Sequence, residues 1–194
     1  MKPAAPVISR GFGLVETQAP GIATAGLLCL SLSLTLTSLP AAGLLRPGTA
    51  LLGLGLFLSA TGQILAGLAL WRREEPLPTL LLSALGLFWY TRLACDLLPH
   101  SGLGALPPVA ATSGLLLLWG GFVLILALDA DILGTPLRLV LGLVAAALLL
   151  QGAAAATGLP LLAAIGGYCG LAAALGAAAT DGGRSLCGGT PPRP

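Results

Sequence analysis

Polar side chains are rare in the apolar stretches of this sequence, so each one is a candidate for chemistry. Gln63 lies well inside the apolar run at 49–70, and we expect that its own backbone cannot satisfy its amide. The amide must then bind another helix or face a wet cavity. Gln151 is a weaker candidate of the same kind. Hydroxyl groups such as those of Ser31 and Thr35 either bond back to their own helix or line a polar path, and both alternatives stay open.

Arg92 and Asp96 form the clearest charged pair within an apolar run. They are four residues apart, which places them one turn apart on a helix, where they can pair. The pair is either an ordinary ion pair at the membrane interface or part of an outer vestibule that attracts anions. Trp89 lies one turn earlier, where it is either a packing wedge or part of a substrate path.

Residue types that would support catalysis or metal binding are nearly missing from the sequence. There is one His, and the four Cys include no C-x-x-C pair. No Gly-rich loop has the spacing of a phosphate-binding or dinucleotide-binding motif. We therefore expect no enzyme activity, no metal site and no cofactor.

The elements that must position these side chains are membrane-spanning helices. Hydrophobic residues make up 56% of the 194 residues and charged residues 8%, with a net charge of +2. Soluble domains carry about 25% charged residues, so a soluble enzyme and a disulfide-stapled secreted domain are excluded. The small, scattered charge also argues against nucleic acid as a partner. Continuous Leu/Ala/Gly-rich runs of about 20 residues suit helices rather than barrel strands.

The sequence therefore predicts an all-α polytopic membrane protein with six transmembrane helices. The predicted spans are 19–39, 49–70, 77–98, 109–128, 136–157 and 159–180. They form one transmembrane domain at 16–181, between mobile tails at 1–15 and 182–194.

Positive charge is distributed unevenly between the two sets of loops. Lys2, Arg10, Arg72, Arg73, Arg138, Arg184 and Arg193 fall on the side of the termini, against Arg46 and Arg92 on the other side. This asymmetry predicts that both termini are cytoplasmic. We expect a multi-pass protein of the plasma membrane, most simply the bacterial inner membrane.

Small residues recur on several predicted helices. In the last span, Gly166, Gly170, Ala174 and Ala178 are spaced four residues apart and form one smooth face. Such faces allow helices to approach closely. They serve packing within one chain or contacts between subunits, and both alternatives stay open.

Two motifs resemble the signature of the acetate uptake transporters, the acetate–succinate permease family. The stretch SATGQILAG at 59–67 is similar to the family's G-x-A-Q-I-x-A-G in the second helix, and GLFW at 86–89 is similar to G-S-F-W in the third. The resemblance covers about residues 17–185. The first helix departs from the family, because TQAPGI at 17–22 stands where the family has N-P-A-P-L-G. At its other end, LPAAG at 39–43 lacks the family's His and Asn.

The resemblance implies a six-helix protomer with its own pore, assembled as a homo-oligomer that is hexameric in relatives. It implies that a small carboxylate passes the start of the first helix, at Thr17 and Pro20, where helix amides favour anions. It also implies a narrow point at Gly26, Leu85 and Val144. Relatives commonly carry aromatic residues at the first two positions, so we expect a less aromatic and wider pore here.

Together these observations predict a transporter or channel for small monocarboxylates such as acetate, embedded in the lipid bilayer. The predicted substrate path comprises Thr17, Pro20, Ser31, Thr35, Gln63 and Trp89. No Asp, Glu, His or Lys lies at the centre of a span, so any transported proton would travel on the substrate. The alternatives are a channel for a neutral solute such as urea or water, and a membrane scaffold that transports nothing.

Overall fold

A computed structural model describes residues 19–102, 104–129 and 134–180 of the chain. Within these residues the chain forms six α-helices, which confirms the predicted all-α fold class. The helices are α1 (Ala19–Ala41), α2 (Thr49–Trp71), α3 (Pro76–His100), α4 (Val109–Asp129), α5 (Thr135–Thr157) and α6 (Pro160–Ala179). Each contains a stretch that is long and apolar enough to cross a membrane. The two predicted tails lie outside the described residues.

Proline and glycine set several helix ends. Proline occupies the first or second position of α3, α5 and α6, where its missing N–H would have no partner in the helix. The tight connection between α5 and α6 needs Gly158, which follows α5 with a φ of 70°. Its N–H donates to the Ala154 carbonyl over 2.8 Å. These local signals set the positions at which those helices begin or end.

The helices pack in the spatial order α3, α2, α1, α6, α5, α4. The rings of Phe88 and Trp119 lie 5.4 Å apart, so side chains, rather than a close backbone approach of α3 and α4, complete the ring of six helices. Because the connections are short, odd-numbered helices run one way and even-numbered helices the other. The end at which α1, α3 and α5 finish is called the vestibule end below.

Glycines bring neighbouring helices into close contact. A Cβ on Gly67 would lie 3.1 Å from the backbone of both Thr79 and Ser83 in α3, and a Cβ on Gly170 would collide with the Ser38 hydroxyl in α1. A Cβ on Gly166 would lie 3.1 Å from the Ala147 carbonyl in α5. Much of the small-residue face of α6 therefore serves packing within the chain.

Large apolar side chains cover the outside of the bundle. Leu118 is 72% exposed and Leu175 is 74% exposed. Exposed apolar area on every helix is unusual for a protein surrounded by water and suits one surrounded by lipid. The interior holds the functional candidates.

Candidate functional site

An open cavity of about 340 Å³ lies at the vestibule end of the helix ring. We call it the vestibule. It is lined by Ala41, Arg92, Thr112, Leu116, Gln151, Ala154, Ala155, Gly158, Leu159, Pro160 and Ala163. These residues come from α1, α3, α4, α5 and α6, so the vestibule opens into the centre of the ring rather than onto its outer face.

Next to the vestibule lies a narrow space between α1, α3, α4 and α5, which we call the neck. The neck is about 10 Å³ in volume, which is room for roughly one water molecule. It is lined by Leu34, Thr37, Ser38, Phe88, Trp89, Arg92, Leu116, Ala147, Leu148 and Gln151. Arg92, Leu116 and Gln151 line both spaces, so the two are adjacent.

Trp89 is the largest polar-tipped side chain at the neck. It is 2% exposed, and its indole Nε1 has no hydrogen-bond partner among the described residues. Its ring packs against Phe88 with centroids 4.7 Å apart, which holds it in place within α3. A buried indole N–H normally finds an acceptor, so a residue of the neck lining carries an unsatisfied donor.

Arg92 supplies a second such donor one turn further along α3. Its Nε lies 3.2 Å from Oδ2 of Asp96, while its Nη1 is buried without a partner in the described part of the chain. The Arg92 side chain is 24% exposed and that of Asp96 37%. Asp96 lines a separate groove between α2 and α3. The arginine therefore lines the vestibule and neck, while its carboxylate partner lies to one side.

Helix dipoles largely cancel around the vestibule. The first turns of α4 and α6 contribute Thr112 and Pro160, and the last turns of α1 and α5 contribute Ala41 and Ala155. The first pair of ends is positive and the second pair is negative. Among the lining residues Arg92 is the one ionised group, and the Asp96 carboxylate beside it offsets part of its charge.

Gln63 lies between α1 and α2 and does not belong to the linings of the vestibule or the neck. It is fully buried, and its Nε2 donates to Ser33 Oγ in α1 over 3.1 Å. Of the two expected alternatives, the amide therefore binds another helix. The same Nε2 also donates to the Ser59 carbonyl over 3.3 Å. The backbone of α2 therefore accepts one bond from the amide, while the other bond goes to α1. Its Oε1 has no partner within the described residues.

The hydroxyls of α1 mostly bond to backbone carbonyls. Ser31 Oγ donates to the Ala174 carbonyl of α6 over 2.8 Å, and Thr35 Oγ1 donates to the Ser31 carbonyl over the same distance. Neither residue lines the vestibule or the neck. Their hydroxyls tie α1 to its neighbours and to itself.

The predicted narrow point lies below the neck, on the side away from the vestibule. Leu85 and Val144 are fully buried and precede Trp89 and Leu148 by one turn of their helices. A Cβ on Gly26 would lie 2.6 Å from Leu82 Cδ1, so a leucine from α3 occupies the space that a side chain at Gly26 would take. Leu82 thus fills the gap beside Gly26, and the less aromatic, wider pore expected at this point stays a prediction.

The start of the predicted path is described only in part. Thr17 lies outside the described residues, and Pro20 lies in the first turn of α1, where the backbone alone is described. The described residues also contain no group of three His, Cys, Asp or Glu side chains that would hold a metal ion.

Sequence reasoning did not place Thr37, Ser38 and Phe88 at the site, and it gave Gln151 little weight. The sequence does contain a signal for them: polar residues occur at a similar distance from the end of helices that run in the same direction. Ser38, Arg92 and Gln151 each lie within about eight residues of the vestibule end of α1, α3 or α5. What the sequence lacks is the rotation of each helix, which decides whether such residues face inward.

The fold is similar to the solved structure of the bacterial acetate channel SatP. The two share 24% sequence identity with a TM-score of 0.77, and the similarity covers 81% of this chain and 87% of that one. No protein-family model matches the sequence, and no curated protein gives a significant match. At this identity the likeness establishes a shared fold.

Proposed function

We propose, from the fold shared with this acetate channel, that the chain is a channel or transporter for small monocarboxylates such as acetate. The observation that carries the proposal is the water-sized neck at the base of an open vestibule, with an arginine facing both spaces. A cation at the entrance to a pore raises the local concentration of anions.

The apolar layer below the neck favours passage of an acid together with a proton. Leu85, Val144 and Leu82 are fully buried and offer no hydrogen bond to a carboxylate. An unpaired carboxylate pays a large free energy of desolvation in such surroundings, whereas the neutral acid pays far less. We propose that the acid is protonated before it crosses this layer. A narrow apolar layer also acts as a gate, because water leaves it readily.

The remaining features of the proposal follow from the sequence. Both termini are cytoplasmic, and the protein resides in the plasma membrane as a homo-oligomer, hexameric by resemblance, with one pore in each protomer. The amides at the start of α1, near Pro20, offer a binding place for the carboxylate at the far end of the path.

Uptake into proteoliposomes tests the proposal directly. Purified protein should carry labelled acetate into vesicles, and an inward proton gradient should increase the rate. Protein-free vesicles measure passive diffusion of acetic acid. Flux of the acetate anion that is independent of pH would overturn the proton step.

Labelled urea in the same vesicles tests the neutral-solute alternative, which the Gln151 amide at the neck favours because it can both donate and accept hydrogen bonds. Urea flux without acetate flux would replace the proposed function with this one. Absence of both fluxes from folded, assembled protein would favour a scaffold.

A further inference from the structure

We propose that Trp89 Nε1 and Arg92 Nη1 form a binding site for a carboxylate anion at the junction of vestibule and neck. This inference rests on the proposed function and names the atoms that would hold its substrate. This binding site is separate from the narrow point at Gly26, Leu85 and Val144.

Both unpartnered atoms at the junction are hydrogen-bond donors. Trp89 Nε1 and Arg92 Nη1 are buried without a partner among the described residues. A buried donor without a partner destabilises the protein, so such groups are normally satisfied. Neither the indole N–H nor the guanidinium group can act as an acceptor. The site therefore suits a ligand that accepts hydrogen bonds, and one anion can satisfy both donors.

The two donors belong to one rigid element. Trp89 and Arg92 are three residues apart on α3, which places them on the same face of the helix. Both line the neck, and Arg92 lines the vestibule as well. A carboxylate has two oxygens on one carbon, so one anion can accept from two neighbouring donors. Charge-assisted bonds of this kind are stronger than those between neutral groups.

Asp96 holds the arginine without occupying the site. It bonds to Nε of Arg92 over 3.2 Å and lines a groove between α2 and α3, away from the neck. This contact fixes the guanidinium and leaves Nη1 directed elsewhere. Asp96 is thus a positioning residue, and its negative charge weakens the attraction of Arg92 for an anion, which favours rapid release.

The sizes of the two spaces decide how the ligand is oriented. The neck has room for about one water molecule, which is enough for a carboxylate oxygen. The vestibule, with about 340 Å³, accommodates the remainder of a small acid. Gln151 and Leu116 line both spaces and flank the ligand with one polar and one apolar wall.

Binding of sodium acetate to the purified full-length protein tests the site. Titration calorimetry at constant ionic strength compares the wild type with Trp89→Phe, which keeps an aromatic ring and removes the N–H. Trp119→Phe is the matched control, because its ring also contacts Phe88 but does not line the neck. We expect Trp89→Phe to weaken acetate binding about three- to tenfold, as the loss of one hydrogen bond predicts. Trp119→Phe should bind as the wild type does.

Arg92→Gln supplies an independent arm, and we expect the variant to fold because the Arg92 side chain is partly exposed. Its matched control is Arg46→Gln, in the exposed loop between α1 and α2. We expect Arg92→Gln to weaken acetate binding about tenfold or more, because a charge-assisted bond is lost. Acetamide, a neutral analogue of similar shape, should bind weakly to the wild type and be insensitive to Arg92→Gln.

Flux measured on the same preparations separates this inference from the proposed function. If the wild type transports acetate, and Trp89→Phe and Arg92→Gln bind acetate as tightly as the wild type does, the binding site is overturned and the proposed function stands. Acetate binding that both variants weaken, in a protein without flux, would support the site and overturn the function. Absence of both saturable binding and flux would overturn both.

Discussion

Two buried clusters in this bundle both consist of polar side chains within apolar runs of the sequence. They differ in whether their hydrogen-bond donors have partners. Between α1 and α2, Gln63 donates to Ser33 Oγ and to the Ser59 carbonyl, and the two serine hydroxyls lie 2.6 Å apart. At the neck, Trp89 Nε1 and Arg92 Nη1 have no partner within the described residues. The donors of the first cluster join two helices, whereas the donors of the second belong to residues that line a cavity. Unused donors beside open space, rather than burial of polar groups alone, indicate a ligand site.

The largest expected effect is a block of the vestibule by a thiol reagent. Ala163→Cys, in a background without the four native cysteines, places a thiol on the vestibule lining. A negatively charged methanethiosulfonate should then stop nearly all acetate uptake, since its adduct fills the entrance. Leu118→Cys, which is 72% exposed on the outer face, is the control and should keep its flux. Equal sensitivity of both variants would show that the vestibule is not on the path.

Exchange of the two span glutamines compares the clusters directly. Gln151→Leu removes the amide from the neck lining and narrows the water-sized space, so acetate uptake should fall severalfold while the folded protein stays intact. Gln63→Leu should have the opposite profile. It removes the bond to Ser33 and should lower the free energy of unfolding by about 0.6 to 1.7 kcal/mol, the range measured for bonds between membrane helices. Its flux per folded protein should not change.

Unfolding in mixed micelles and uptake assays on the same preparations give both readouts. Loss of flux in Gln63→Leu, with the assembly intact, would instead place Gln63 on the substrate path and remove the distinction between the two clusters.

Neutralising Asp96 should raise the affinity of the neck for acetate. Asp96→Asn removes a carboxylate that contacts Arg92 Nε over 3.2 Å. The pair is partly exposed, so its interaction is worth at most about 1 kcal/mol, and acetate affinity should rise about two- to fivefold. Because the site then carries a net positive charge, the affinity should also become more sensitive to salt. Calorimetry at two ionic strengths measures both effects. Weaker binding would mean that orientation of the arginine matters more than its charge.

The smallest expected effect concerns the contact between α1 and α6. Ser31→Ala removes the bond to the Ala174 carbonyl, which should cost about 0.6 kcal/mol of stability. Acetate flux should stay at the wild-type level, since Ser31 lines neither the vestibule nor the neck. Thr35→Val, whose hydroxyl bonds to its own helix, serves as the comparison. A clear loss of flux in Ser31→Ala would restore the polar path that the sequence suggested along α1.

Part of the site followed from residue chemistry. Trp89 and Arg92 attract attention in the sequence because an amphipathic ring and a charge are costly inside an apolar run, and both line the neck. Gln63 satisfies the same criterion equally well and lies elsewhere. Ser31 and Thr35 also satisfy it, and their hydroxyls bond to carbonyls. Polarity within a span identifies residues that have a structural or functional role, and the packing of the helices shows which of the two roles each residue has.

The sequence by itself determined the six helices, because a backbone in hydrocarbon must satisfy its own amides and the apolar runs have the length that a bilayer requires. Proline and glycine at the connections determined where those helices end. Only the tertiary structure decided which side of each helix faces the centre, since that rotation depends on contacts between distant residues. The close approach of Gly170 to Ser38 and the entry of Leu82 beside Gly26 are such contacts. They set which buried donors meet a partner and which meet the cavity.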